Sequence, residues 1–329
     1  MAQGTIDSEH MGEFLRNMHS LVDVATHLEI PLELDQPPKN IIIAGVGGSA
    51  LPGNIISTIY DLPLPFLTVS DYDLPALAGK DSLIFIISHS GNTEETIALF
   101  RQASKLTKNI VTISSGGKLQ EMAKIGDVAH LKVPGDMQPR MSYLTLTIPI
   151  IRFLSKLGLV EDPGPDLKEV AKALAREEYE EMGKDFAKKL EGRTPLIYAS
   201  RKLACVAKKW KINFNENAKT HAFFNLFPEF NHNEINGFIQ PKGPFAALIL
   251  RDDDEHIRVK KRMRIVKEMI KEQDTPVYEV MVRGVSPLVK VFSAIYIGDW
   301  ISYYLALENG VNPSGVPFIE DLKKRLSTV

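Results

Sequence analysis

Residues 83–97 read LIFIISHSGNTEETI, and no other stretch constrains the fold as tightly. Leu83 to Ile87 form a short unbroken apolar run with a β-branched bias, the pattern of a strand buried on both faces. The turn-forming run Ser88, His89, Ser90, Gly91, Asn92 and Thr93 follows, and then a helix opens with Glu94 and Glu95, acids that suit the positive end of a helix dipole. A strand, a tight turn and a helix N-terminus bring backbone N–H groups and three hydroxyls to one point. That combination predicts a socket for an anion, most simply a phosphate ester. Capping of the helix by Ser90 or Thr93 is the plain alternative. It accounts for one hydroxyl, hardly for Ser88, Ser90 and Thr93 together.

The socket has to be local, because the 329-residue chain carries a net charge of only −2 and so no global field that would favour nucleic acid or an anionic membrane. A single cysteine, Cys205, rules out an intramolecular disulfide framework or a multi-cysteine metal site, and in its run LACVAKKW it reads as a packing residue. No apolar run approaches the roughly 20 residues of a membrane span. The opening MAQGTIDSEHMGEF has neither a basic nor an apolar leader region, so the expectation is a cytoplasmic protein.

In chain order, the apolar spacing of Met11, Phe14, Leu15, Met18, Leu21, Val22 and Ala25 predicts one helix over residues 8–30. Strands are predicted at 41–44, 66–69, 83–87, 109–114 and 129–133, with helices between them and an apolar helix over 143–157. Repeated strand–helix units of this length predict a parallel sheet with right-handed crossovers. The first strand runs into Gly45-Val-Gly-Gly-Ser-Ala50, which satisfies the dinucleotide fingerprint, and Asp71 stands about 20 residues further on, where a ribose-binding acid is expected. Against a dinucleotide, Asp71 opens the loop-like Tyr72-Asp-Leu-Pro75, and the third strand carries a second anion loop that such a site does not need. Two Gly/Ser loops on neighbouring parallel strands suit one small sugar phosphate better. Arg140, at the entrance of the apolar helix, either faces that ligand or lies on the surface.

A charged amphipathic helix over 167–190 is predicted to bridge to a second half with strands at 196–199, 246–250 and 277–282. Helices are predicted there at 202–213, 257–272, 287–308 and 317–326. Here Tyr198-Ala-Ser-Arg201 replaces the Gly-rich turn, and Arg251-Asp-Asp-Asp254 is too acidic to welcome a phosphate. The halves read as related folds of which only the first keeps an anion site. The expected domains are residues 1–158, a linking helix at 159–192, and 193–329.

Residues 211–238, KINFNENAKTHAFFNLFPEFNHNEINGF, crowd Asn, Glu and His among aromatics, as neither a plain core nor a solvated face requires. Glu216 sits among amides and Lys219, and His232 is flanked by Asn231 and Asn233, amides that could fix its tautomer. A carboxylate base and a histidine near a sugar phosphate are the parts for moving a proton between adjacent carbons. Glu216, His221, His232 and Glu234 are also possible metal ligands, but their spacing matches no familiar local motif, and no metal is expected.

Gly47-Gly-Ser49, Ser88-His-Ser-Gly-Asn-Thr93, Glu216-Asn-Ala-Lys219, Asn231-His-Asn-Glu234 and the terminal Pro317-x-Ile-x-x-Leu-Lys323 together resemble the bifunctional phosphoglucose/phosphomannose isomerase family. The resemblance covers essentially the whole chain. It implies two doubly wound, flavodoxin-like parallel-sheet sugar isomerase (SIS) domains in tandem, α/β in class, with helices on both faces. It implies that Gly48, Ser49, Ser88, Ser90 and Thr93 hold the substrate phosphate, and that Glu216 shuttles a proton between C1 and C2 through a cis-enediolate. Arg140 would stabilise the enediolate charge, and His232, supplied across a homodimer interface, and Lys323 would handle ring opening. No metal or organic cofactor is implied.

Two positions depart from the family's habit: Val316 stands where a threonine is usual, which bears on the glucose-versus-mannose balance, and His221 where proline is more usual. A non-catalytic SIS sensor of sugar phosphates is the alternative, but no basic recognition helix accompanies it here. A glutamine-dependent synthase half lacks its N-terminal cysteine nucleophile, Cys205 being the only cysteine.

Overall fold

The computed structural model describes residues 6–31 and 34–326. It divides the chain into two compact units, one of His19–Ala173 with Ser286–Val289, the other of the residues up to Met18 with Leu174–Val285 and the chain from Lys290 onward.

The first unit is built on a parallel sheet of β1 (Asn40–Ala44), β2 (Phe66–Val69), β3 (Ser82–Ile87), β4 (Ile110–Ser114) and β5 (Ala129–Lys132), in the order β2-β1-β3-β4-β5. Every residue of β1, β3 and β4 is buried, whereas the edge strands β2 and β5 are partly exposed. Burial on both faces is why the inner strands carry continuous apolar runs. On one face Ile42, Ala44, Ile84 and Ile86 pack with Ile97 and Phe100 of the helix Glu94–Leu106. On the other, Phe85 meets Phe153 of the apolar helix Tyr143–Lys156 edge to face, ring centroids 5.3 Å apart. The sheet is therefore doubly wound.

The second unit repeats the plan with β6 (Thr194–Ser200), β7 (Phe223–Phe227), β8 (Phe245–Asp252) and β9 (Val277–Val282), all parallel in the order β7-β6-β8-β9. One face packs Tyr198, Ala247 and Ile249 against Met263, Val266 and Ile270 of the helix Ile257–Lys271. The helix Ala204–Glu216 and the long helix Pro287–Glu308 are tied by the Trp210 indole N–H, which donates to the Ala294 carbonyl at 2.8 Å. Cys205 is buried, as a packing residue should be.

Three readings of the sequence need correction. Residues 8–30 form two helices, Met11–Arg16 and Ser20–His27, because the Asn17 side chain and backbone N–H both turn back onto the Glu13 carbonyl and close the first. Residues 167–190 are likewise two helices, Gly164–Leu174 and Glu178–Leu190, the second restarting on its acidic first turn. Strand β7 was not expected at all. It is an edge strand with Phe223 54% and Phe224 37% exposed, so it lacks the burial pattern that marks the inner strands. Among the described residues no helix is long and apolar enough to cross a membrane.

Candidate active site

In the first sheet the strand order reverses between β1 and β3, and the crevice beyond the carboxyl ends of such strands is where open α/β sheets bind ligands. Both Gly/Ser loops lie there. The first is a 3₁₀ turn, Gly47–Ala50, and the second links β3 to the helix Glu94–Leu106. The backbone N–H of His89 donates to Ser49 Oγ at 3.1 Å and joins the two loops. Ser88 Oγ and Thr93 Oγ1 are 2.9 Å apart, and the Thr93 N–H donates to Ser88 Oγ at 3.4 Å. Thr93 occupies the N-cap position, yet its hydroxyl makes no cap hydrogen bond. Simple capping therefore does not explain it. The Ser90 hydroxyl accepts the Asn92 N–H at 3.3 Å.

Gly91 has φ +71°, and a Cβ there would come within 1.8 Å of the Gly116 carbonyl oxygen, so only glycine allows the turn to close on its neighbour. Gly48 lies against the backbone of Pro139 and Arg140, where a Cβ would sit 2.6 Å from the Pro139 oxygen and 3.1 Å from the Arg140 Cα. This close approach sets Arg140 beside the first loop. Arg140 is 1% exposed and so is not a surface arginine. Its guanidinium reaches Gln138 Oε1 at 3.4 Å. The segment before it is tied to the second loop by the His89 ring, whose Nε2 lies 3.1 Å from the Pro134 carbonyl oxygen. Burial lowers the His89 pKa, against the pull of that carbonyl and of Asp136, so the ring is neutral at neutral pH and its Nε2–H donates to Pro134. Asp71, by contrast, accepts the N–H of Tyr72 at 2.7 Å as a turn residue.

Glu216, His232 and Lys323 belong to the second unit. Glu216 is half-buried and ends the helix Ala204–Glu216. The amides around it hold the turn that follows: Asn217 donates to Ser302 Oγ at 2.9 Å, Asn215 to the Thr220 carbonyl at 2.9 Å, and Asn309 to the Ala218 carbonyl at 3.0 Å. Lys219 Nζ donates to the carbonyls of Glu216 at 2.6 Å and Gly315 at 2.7 Å. Its part is invisible in sequence, because a carbonyl acceptor carries no residue signature.

His232 is exposed at the end of a 3₁₀ turn, Glu229–His232. The flanking amides do not fix its tautomer: Asn233 bonds Glu229 and the Glu234 N–H, and both amide atoms of Asn231 are buried without a hydrogen bond. Glu234 anchors this region instead, accepting from Tyr198 Oη at 2.7 Å and from Asn225 at 2.6 Å. Burial first, and Glu234 second, raise the Tyr198 pKa far above that of a free phenol, so it stays a donor. Lys323 is exposed on the C-terminal helix Pro317–Leu326. His221 is exposed, and among the described residues no group of three or more His, Cys, Asp or Glu is placed to hold a metal ion. At the carboxyl end of β8, Lys290 Nζ donates to Asp252 at 2.6 Å and to Asp254 at 2.5 Å, so one ammonium offsets part of this acidic charge from within the unit.

A family profile described as the bacterial phospho-glucose isomerase C-terminal SIS domain matches residues 179–326. A bifunctional phosphoglucose/phosphomannose isomerase of Caldicellulosiruptor bescii is 35% identical over 322 residues, covering 93% of this chain and 95% of the relative. One of the same name from Aquifex aeolicus is 35% identical over 297 residues, covering 88% and 91%. Among solved structures, a hypothetical protein of Thermus thermophilus superposes with a TM-score of 0.74 at 17% identity, covering 99% of this chain and 89% of the other, a likeness of fold. With relatives of this identity and coverage, the chain belongs to the bifunctional phosphoglucose/phosphomannose isomerase family.

Proposed function

We propose that the protein interconverts glucose 6-phosphate and/or mannose 6-phosphate with fructose 6-phosphate, as a metal-independent aldose–ketose isomerase of the cytoplasm. The observation that carries this reading is the joined pair of hydroxyl-bearing loops at the β1/β3 reversal with buried Arg140 against them. Gly48, Ser49, Ser88, Ser90 and Thr93 anchor the phosphate. Once the ring is open, Glu216 takes the C2 proton of the aldose, leaving a cis-enediolate whose charge Arg140 stabilises. Glu216 returns that proton to C1, while the C1 oxygen ends protonated and the C2 oxygen becomes the ketone. Lys323 and His232 of the partner subunit open the ring, which makes the working form a homodimer.

The test follows fructose 6-phosphate through separate coupled assays for glucose 6-phosphate and mannose 6-phosphate, with EDTA present. Formation of both aldoses supports the bifunctional reading and shows that Val316 is tolerated. One aldose alone narrows it. Neither, alongside tight sugar-phosphate binding, overturns it in favour of a sensor.

A further inference from the structure

Lys219 lies three residues beyond the proposed base, at the carboxyl end of its helix, where the last carbonyls of a helix concentrate negative potential. Its backbone is left-handed, with φ +53°, a conformation that a lysine adopts at a cost and keeps only when its surroundings fix it. Two carbonyls stand out in those surroundings. One ammonium group spans the Glu216 oxygen at 2.6 Å and the Gly315 oxygen at 2.7 Å. Residue 315 is followed by Val316, whose own carbonyl accepts the N–H groups of Ile319 and Glu320 and so starts the helix Pro317–Leu326 that carries Lys323. A single side chain thus staples the end of the base's helix to the start of the ring-opening lysine's helix.

We infer that Lys219 is a positioning residue for the isomerisation, fixing Glu216 relative to the Val316 segment; the inference rests on the function proposed above. Both contacts of the staple are to backbone oxygens, and Lys219 moves no substrate proton. Its effect is on the alignment of the carboxylate with the carbon-bound hydrogen, to which proton transfer is steeply sensitive.

The experiment compares wild type with Lys219→Met, which keeps the stem and the Cβ but loses both donors, and with Lys219→Arg, which retains donors for two carbonyls. For Lys219→Met, kcat is expected to fall about 10–100-fold. KM is expected to stay within about threefold, because the phosphate socket is untouched. The kinetic isotope effect with C2-deuterated aldose is expected to rise as proton transfer becomes limiting, a change that a purely structural loss does not produce. Lys219→Arg is expected to restore most of kcat and the wild-type isotope effect. An active wild type with unchanged kcat and isotope effect in Lys219→Met overturns the inference alone. A Lys219→Arg enzyme as impaired as Lys219→Met, at an equal melting temperature, also overturns it. Absence of isomerase activity in the wild type overturns the proposed function and this inference together.

Discussion

His89 and Ser49 stand 40 residues apart in sequence, and the backbone N–H of one donates to the hydroxyl of the other at 3.1 Å. Both are buried, Ser49 6% and His89 4% exposed. The two loops at the β1/β3 reversal are therefore joined, and the Ser49 hydroxyl would have two tasks on the proposed function: it satisfies a buried backbone donor, and it would contact the substrate phosphate.

Ser49→Ala separates those tasks. The buried His89 N–H loses its acceptor, which costs about 1–3 kcal/mol of stability. The loss of a polar contact to phosphate raises KM about tenfold with a smaller change in kcat. Denaturant unfolding and steady-state kinetics on the same preparation check both. A variant with wild-type KM would remove Ser49 from the phosphate site.

Gly48→Ala acts through Arg140. The new methyl has to displace the backbone of Pro139 and Arg140, since a Cβ at 48 sits 2.6 Å from a carbonyl oxygen. Arg140 is then moved from the place where it is proposed to meet the enediolate, so kcat and kcat/KM are expected to fall together, by about 10²-fold. A steady-state comparison with wild type settles it, and retention of full kcat would show that Arg140 is not placed through this contact.

Much of this fold and site was legible in the residues, for reasons that also explain what was not. The runs at Ile41–Ile43 and Leu83–Ile87 announce inner strands because both of their faces are buried, and residues 88–93 announce a strand-to-helix turn because small, turn-forming residues separate a buried run from a helix that opens on two acids. Strand β7 escaped because an edge strand bearing exposed Phe223 and Phe224 shows neither alternation nor continuous burial. Arg140 was undecided because burial of an arginine depends on what the fold brings around it, and the Gly48 loop that lies against its backbone is distant in sequence. The tautomer expected for His232 failed because Asn231 and Asn233 adjoin it in sequence while their amides point elsewhere.

Glu216→Gln keeps the size of the side chain, puts a neutral amide in place of an acceptor-only carboxylate, and removes the proposed base. Turnover is expected to drop by about 10²–10⁴-fold. Binding of a non-reacting six-carbon polyol phosphate, read by calorimetry, is expected to stay at the wild-type level, because the socket belongs to the other unit. Retained turnover would take Glu216 out of its role.

Two histidines, buried His89 and half-buried His130, give the acid response its sign. Burial lowers the pKa of His89, and burial followed by Lys132 lowers that of His130, each from an ordinary value of 6.5. Below pH 6.5 the unfolded chain therefore binds more protons at these positions than the folded one, and stability rises with pH until both states are neutral. Each histidine contributes a slope of no more than about 1.4 kcal/mol per pH unit, in the window between its lowered folded pKa and 6.5. Replacing His89 with Gln is expected to flatten the decline between pH 6.5 and 5 in denaturant titrations. An unchanged pH dependence would show that His89 does not carry it.

Lys209 and Asp299 form a fully buried pair at 2.8 Å, and Asn213 donates to the same carboxylate oxygen at 2.6 Å. Lys209 lies two turns before Glu216 on the same helix, so the pair holds that helix against Pro287–Glu308. Removing one partner leaves an uncompensated buried charge, and Lys209→Met alone or Asp299→Leu alone is expected to destabilise by about 3–5 kcal/mol. The double variant Lys209→Met with Asp299→Leu removes both charges and is expected to recover much of that loss, because two apolar side chains need no mutual compensation. Trp210 and Trp300 both belong to this unit, so urea unfolding followed by tryptophan fluorescence reports on it directly. Additive losses in the double variant would show that the two charges do not depend on each other. Recovery of stability without recovery of turnover would instead assign the pair to holding the Glu216 helix in register.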